Sequence, residues 1–244
     1  MSNPILNDER FSPDEIVLES EPMTIQGTIS KILMLFICLL TGAGISLHFL
    51  FNGQGALLMP VISVSAIVAF LLVLITCFSI KKAKYLAPPY AFFEGVVLGG
   101  ISALFESSIQ GIVLQAVIIT FATLFVMLML YKAKIIQYTE KFRSILLTAI
   151  LSIGAVYLVQ IIVSFFGRSI PWIFDNGPAG ILFSIIVVAF ASFSLIQDFY
   201  FIENASQKML SKDYEWYGAM GLMITLVWLY MEILRLLAKL NSRR

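Results

Sequence analysis

Hydrophobic positions fall into seven long runs separated by short polar segments. The runs cover residues 32–51, 56–80, 86–105, 111–131, 145–166, 180–201 and 217–240. A helix of about 20 residues rises about 30 Å, which is enough to cross the hydrocarbon of a bilayer. Short connections make consecutive helices antiparallel neighbours. The pattern therefore predicts an all-α, polytopic membrane protein, a bundle of seven transmembrane helices.

Composition narrows the class of protein further. Hydrophobic residues make up 59% of the 244-residue chain and charged residues 13%, whereas a soluble domain averages about 25% charged residues. The net charge of +1 gives no reason to expect a nucleic-acid partner. Cys38 and Cys77 both lie in apolar runs without metal-binding spacing, so we expect neither a disulfide nor a bound metal.

The amino-terminal segment, residues 1–28, is acidic and precedes the first apolar run. It contains six acidic residues against Arg10 alone before Met23, and no apolar run follows a basic start, so it does not resemble a signal peptide. We expect a cytoplasmic arm over 1–28 and a seven-helix transmembrane domain over 29–244. With the amino terminus inside, eleven of the sixteen Lys and Arg lie in inner segments and Arg168 alone lies in an outer one. This asymmetry predicts a cytoplasmic amino terminus.

The last apolar run conflicts with that asymmetry. Arg235, Lys239, Arg243 and Arg244 lie at its end, and a full crossing would place them outside. Either the run crosses the membrane because the earlier loops fix the orientation, or it enters the bilayer and returns to the same side.

Three acidic residues lie inside apolar runs, and each is on a different predicted helix: Glu94, Asp198 and Glu232. A charged side chain near the middle of a bilayer costs about 2.5–3.5 kcal/mol on insertion scales and usually faces a bundle interior or water. Two such carboxylates in contact would share a proton or attract a hard cation such as calcium. Alternatively, each acid is paired within the bundle, as Glu232 would be with Arg235 one turn later.

Enzyme signatures are missing from the sequence. It contains no HExxH, GxSxG, P-loop or dinucleotide-binding glycine pattern, and His48 is its one histidine. We therefore expect no catalytic activity and no cofactor. A small-solute transporter is also disfavoured, because there is no inverted repeat and no pair of broken helices.

Several segments together resemble the Bax inhibitor-1 family, in its bacterial YccA-like branch. They include MTIQGTISK at 23–31, LAPPYAFFEGVVLGGISALFE at 86–106, LYKAKIIQYTEKF at 130–142, GPAGILFSIIVVAFASFSL at 177–195 and EWYGAMGLMITLVWLYMEILRLLAKL at 215–240. The similarity extends over nearly the whole chain. Its most specific parts are the segment from Tyr90 to Gly95 and the last apolar run.

The resemblance implies a fold in which the last helix is central and wrapped by the other six. It also implies a pH-sensitive calcium or cation leak in the inner (plasma) membrane, controlled by an acidic pair, with calcium or protons as candidate partners. Asp198 matches the acid of the sixth helix, Glu232 that of the seventh and Glu94 that of the third. Lys81 is a candidate basic partner for the sixth-helix acid. Glu232 stands where leak-active members have Asp.

Some bacterial relatives imply a different class of function, a non-enzymatic interaction protein that modulates a membrane quality-control protease. In that interpretation the acidic arm would be the contact with the protease. Both hypotheses require the protein to lie in a lipid bilayer.

Overall fold

The computed structural model describes residues 21–52, 55–167 and 175–242. Its long helices are α1 (Ile25–Phe51), α2 (Gly55–Phe78), α3 (Ala83–Ser108), α4 (Ile112–Lys132), α5 (Glu140–Phe165), α6 (Pro178–Gln207) and α7 (Asp213–Asn241). All seven are long and apolar enough to cross a membrane. The described part of the chain has no strand, only an isolated bridge between Pro22 and Ser211. The prediction of an all-α, seven-helix membrane protein is confirmed.

The helices extend beyond the apolar runs, most clearly at three ends. α1 begins at Ile25, so the predicted boundary of the arm at residue 28 falls inside the helix. α6 continues to Gln207, and α7 begins at Asp213. Apolar runs mark the part of a helix that lies in hydrocarbon, whereas backbone hydrogen bonding continues into polar turns. The rest of the arm, residues 1–20, lies outside the described residues, as does Arg168, which the sequence predicts in an outer loop.

α7 is one unbroken helix of 29 residues. A re-entrant segment would need a reversal of the chain within it, and α7 contains none. It is also the most buried of the seven helices, because 61% of its most apolar stretch is buried, against 11% in α5. The structure therefore favours a single crossing over re-entry. The high burial of α7 agrees with the prediction that the last helix is central.

The chain divides into two compact units. Of the described residues, the amino-terminal unit comprises 21–52, 55–108 and 198–224, and the carboxyl-terminal unit comprises 109–167, 175–197 and 225–242. Each unit thus takes one part of α6 and one part of α7. The candidate acids are divided accordingly, with Glu94 and Asp198 in the first unit and Glu232 in the second.

Glycines bring α1 and α3 into close contact within the amino-terminal unit. A methyl group on Gly42 would lie 2.0 Å from the carbonyl oxygen of Phe92, and one on Gly95 would lie 2.0 Å from that of Leu39. The hydroxyl of Ser46 donates to the carbonyl of Val96 at 2.6 Å. Small residues permit such an approach of two membrane helices. Gly44, two residues after Gly42, faces open space.

Candidate functional site

Glu232 lies on α7 in the carboxyl-terminal unit, and its side chain is 3% exposed. Arg235 Nη1 donates to Glu232 Oε1 at 2.9 Å and to Oε2 at 3.1 Å. The hydroxyl of Tyr157, on α5, donates to the same Oε1 at 2.9 Å. It also accepts a hydrogen bond from Arg235 Nη1 at 2.8 Å. The three side chains form a closed ring of hydrogen bonds, which we call the Glu232 triad.

Helical spacing explains the ion pair in this triad. Residues three apart lie on one face of a helix, so α7 alone brings Arg235 to Glu232. The guanidinium also lies over the ring of Tyr157, 5.3 Å from its centroid, at a distance typical of a cation–π contact. A buried carboxylate is tolerated when it is paired and hydrogen-bonded. The structure thus contains the intrahelical pair that the sequence left open as an alternative to paired carboxylates.

Lys239, one turn beyond Arg235, is 5% exposed. Its Nζ donates to the carbonyl of Gly180 at 3.0 Å and to the hydroxyl of Ser184 at 2.9 Å, both near the start of α6. From the sequence Lys239 was grouped with the basic tail. Its spacing of seven residues from Glu232 places it on the same face as the triad, and that spacing is the signal by which it could have been recognised.

Asp198 lies on α6 in the amino-terminal unit and is 1% exposed. Its neighbours along the helix, Gln197 and Phe201, are buried as well. A carboxylate this deep in a membrane-spanning helix is costly unless polar groups surround it. Asp198 and Glu232 belong to different units.

The other two candidates from the sequence are less deeply placed. Glu94 is partly buried on α3, one turn after the buried Tyr90. Lys81 is exposed in the short 3₁₀ turn Ile80–Lys82 that precedes α3. Lys81 forms no ion pair with an acidic side chain among the described residues.

Glu215, in the first turn of α7, is a buried acid that sequence reasoning did not single out. Its side chain is 2% exposed, and Lys31 Nζ lies 3.4 Å from Oε2. Its Oε1 accepts hydrogen bonds from both the backbone N–H and the hydroxyl of Thr24, each at 3.0 Å. The Thr24 hydroxyl in turn accepts from the N–H of Gly27 at 2.9 Å, as an N-cap side chain does.

Glu215 was missed because it lies at the polar edge of the last apolar run. Acidic residues are common in the first turn of a helix, where they complement its dipole, and such a residue is usually solvated. The contact with Thr24 spans 191 positions in the sequence, so local pattern gives no sign of it.

The chain as a whole can be compared with known proteins. A family model described as Bax inhibitor 1 like matches residues 3–242. The match includes every helix from α1 to α7 and both units. No curated protein matches the chain.

Proposed function

The chain belongs to the Bax inhibitor 1-like family, and we propose that this multi-pass membrane protein lets cations, calcium among them, leak across the bilayer under the control of Asp198 and Glu232. The observation that carries the proposal is that both carboxylates are nearly fully buried, at 1% and 2% exposure, in helices of membrane-spanning length. Carboxylate oxygens are the ligands that calcium prefers. Acids at such depth commonly mark ion or proton pathways.

In this proposal the Glu232 triad is the closed arrangement of its carboxylate. Arg235 neutralises Glu232 and occupies both of its oxygens, so a cation gains access to the carboxylate only when Arg235 moves away. The side chain of Arg235 is 36% exposed, against 3% for Glu232. In the proposal Arg235, the more exposed of the two side chains, is the partner that moves, and Tyr157 holds the pair from α5.

Asp198 supplies the second control point, in the amino-terminal unit. Protonation of a carboxylate removes the negative charge that attracts a cation, so pH would act through Asp198 as well as through Glu232. Whether the two acids act together is a question for a double variant, because coupled residues give non-additive effects.

The test is calcium flux into liposomes that contain the purified protein and an internal calcium-sensitive dye, over a pH range of about 5 to 8. We expect a flux that depends on pH and that changes severalfold in Asp198→Asn and in Glu232→Gln. Glu140→Gln is the matched control, because Glu140 is 89% exposed. The proposal is wrong if the wild-type protein gives no flux at any pH, or if both variants keep its flux and its pH profile.

A double variant, Asp198→Asn with Glu232→Gln, sharpens the mechanism. If the acids form one control element, its flux should equal that of the more affected single variant. If they act separately, the two effects should multiply.

The alternative, modulation of a membrane quality-control protease through the acidic arm, remains a prediction. The structure improves its test, because Glu21, Pro22 and Met23 contact the rest of the amino-terminal unit. Deletion of residues 1–20 removes the acidic segment and leaves these contacts in place. A leak should survive that deletion, whereas an interaction with a protease should be lost.

A further inference from the structure

Residues 21–31, which we call the strap, follow the first twenty residues of the arm, include the start of α1, and contact the turn between α6 and α7, residues 208–212. The backbone N–H of Met23 donates to the carbonyl of Leu210 at 2.8 Å. Pro22 and Ser211 form an antiparallel bridge, and Glu21 pairs with Lys212. Three consecutive strap residues therefore lie along three consecutive residues of the turn.

The side chain of Met23 fills an apolar cluster beneath this turn. Met23 is 3% exposed and packs with Ile202, Ala205, Leu210 and Tyr214. Ile202 follows Asp198 on α6 by four residues, which is about one turn or 6 Å of helix. The strap therefore covers the segment of α6 that continues directly from Asp198.

Glu215 fastens the other end of the strap. It accepts hydrogen bonds from the N–H and the hydroxyl of Thr24 and is paired with Lys31. The backbone approaches closely here, because a methyl group on Gly27 would lie 2.1 Å from Glu215 Oε1. The strap is thus held at residues 21–23 by the turn and the apolar cluster beneath it, and at Thr24 and Lys31 by a buried carboxylate.

We propose that the strap is a latch that holds the α6–α7 turn and the Asp198 segment of α6 closed, and that its release opens the leak. Force on residues 1–20, as a bound partner would apply, passes along the chain to Met23 once the contacts of Glu21 and Pro22 with the turn are broken. Withdrawal of Met23 uncovers Ile202 and frees the helix next to Asp198. This inference concerns regulation and rests on the proposed leak for its functional readout.

A disulfide between strap and turn tests the latch. Pro22 lacks an N–H and forms an antiparallel bridge with Ser211, as in a non-hydrogen-bonded pair. Cα atoms in such pairs lie about 4.5 Å apart, and a disulfide needs about 4.4–6.8 Å. Pro22→Cys with Ser211→Cys is made in a Cys38→Ala, Cys77→Ala background, and formation of the bond is verified by mass spectrometry. The two single-cysteine variants, exposed to the same oxidant and reductant, are the controls.

We expect the oxidised double variant to leak about tenfold more slowly than its reduced form, while the controls do not respond to reduction. Met23→Ser, which removes the apolar anchor without touching Asp198, should leak faster than wild type. The proposal is wrong if the oxidised form, with its disulfide verified, leaks as fast as the reduced form.

Amide hydrogen exchange over residues 202–218 separates this inference from the proposed leak. With the bond formed, exchange there should slow about tenfold, and in Met23→Ser it should quicken. If the wild-type protein shows no flux, the leak is wrong, and the exchange result alone decides whether the strap closes the turn. If exchange is the same in the wild-type protein, the oxidised double variant and Met23→Ser, no latch exists.

Discussion

α7 carries two buried glutamates seventeen residues apart, and they are held in opposite ways. Glu215 is bound by Thr24 and Lys31, which come from the other end of the chain. Glu232 is bound first by Arg235, three residues away on its own helix. The side chains of both acids are almost equally buried, at 2% and 3% exposure. One carboxylate therefore depends on tertiary structure for its counter-charge, and the other depends mainly on helical spacing.

This difference suggests a division of roles. A counter-ion from a distant segment ties two parts of the fold together, so Glu215 fits a structural fastening. A counter-ion on the same helix needs no particular tertiary arrangement to stay close, so the Glu232–Arg235 pair can survive a movement of α5 that withdraws Tyr157. Because no distant segment holds this pair, Arg235 can leave Glu232 without separating two parts of the fold, so Glu232 fits the control point of the proposed pathway better than a fixed anchor does.

The largest effect should come from Glu215→Ala. It leaves the ammonium group of Lys31 and the capping residue Thr24 without their buried acceptor, and removal of one partner of a buried pair costs about 3–5 kcal/mol. The measurement is the free energy of unfolding in detergent, by denaturant titration. Glu140→Ala, at an exposed acid, is the control and should change little. A loss no larger than that of the control would mean that Glu215 fastens nothing.

Glu232→Ala should cost less, about 1–3 kcal/mol in the same titration. Arg235 is 36% exposed and keeps the hydroxyl of Tyr157 as an acceptor, so its charge is not left buried and alone. A loss that equals or exceeds that of Glu215→Ala would contradict the contrast between the two glutamates. In that case the Glu232 triad would have to be regarded as a tertiary fastening as well.

Gly27→Ala tests the fastening without removing a charge. Its methyl group would meet Glu215 Oε1 at 2.1 Å, so the carboxylate must leave Thr24, at a cost of about 1–3 kcal/mol for overpacking. Gly154→Ala on α5 is the matched control, because nothing lies within 4 Å of that position. Alanine is also favoured over glycine in a helix, by up to about 1 kcal/mol. Equal stability of the two variants would show that the packing around Glu215 is loose.

The sequence predicted the architecture well because membrane helices can be recognised from the length and apolarity of a run alone. All seven runs became helices, and the intrahelical partner of Glu232 followed from a spacing of three residues. Lys239 could have been recognised by the same rule. It was missed because basic residues at the end of an apolar run are usually read as a solvated tail.

The contacts of the strap and of Glu215 could not be predicted from the sequence. Met23 and Glu215 contact partners more than 180 positions away in the sequence. The residues next to them in the sequence form no motif that would indicate these contacts. The polar edge of a run predicts a solvated side chain, and only the fold shows that the start of α1 covers the start of α7. Residues that connect distant segments are invisible to patterns that are local by construction.

The smallest effect should be that of pH on the stability of the amino-terminal end of the strap. The hydrogen bond and charge of Lys212 lower the pKa of Glu21 below its ordinary value of 4.5, and Glu21 in turn raises the pKa of Lys212 above 10.5, with a minor contribution from Glu215. A carboxyl with a lowered pKa stabilises the folded state fully above its ordinary value and loses that contribution as the pH falls through the lowered value. Hydrogen-exchange protection at Met23, corrected for the intrinsic rate, should therefore be constant from neutral pH to about 4.5 and decline below it. The decline should be slight because both side chains are exposed, and Glu21→Gln should remove it. A decline that persists in Glu21→Gln would show that the Glu21–Lys212 pair is not the source of the acid sensitivity.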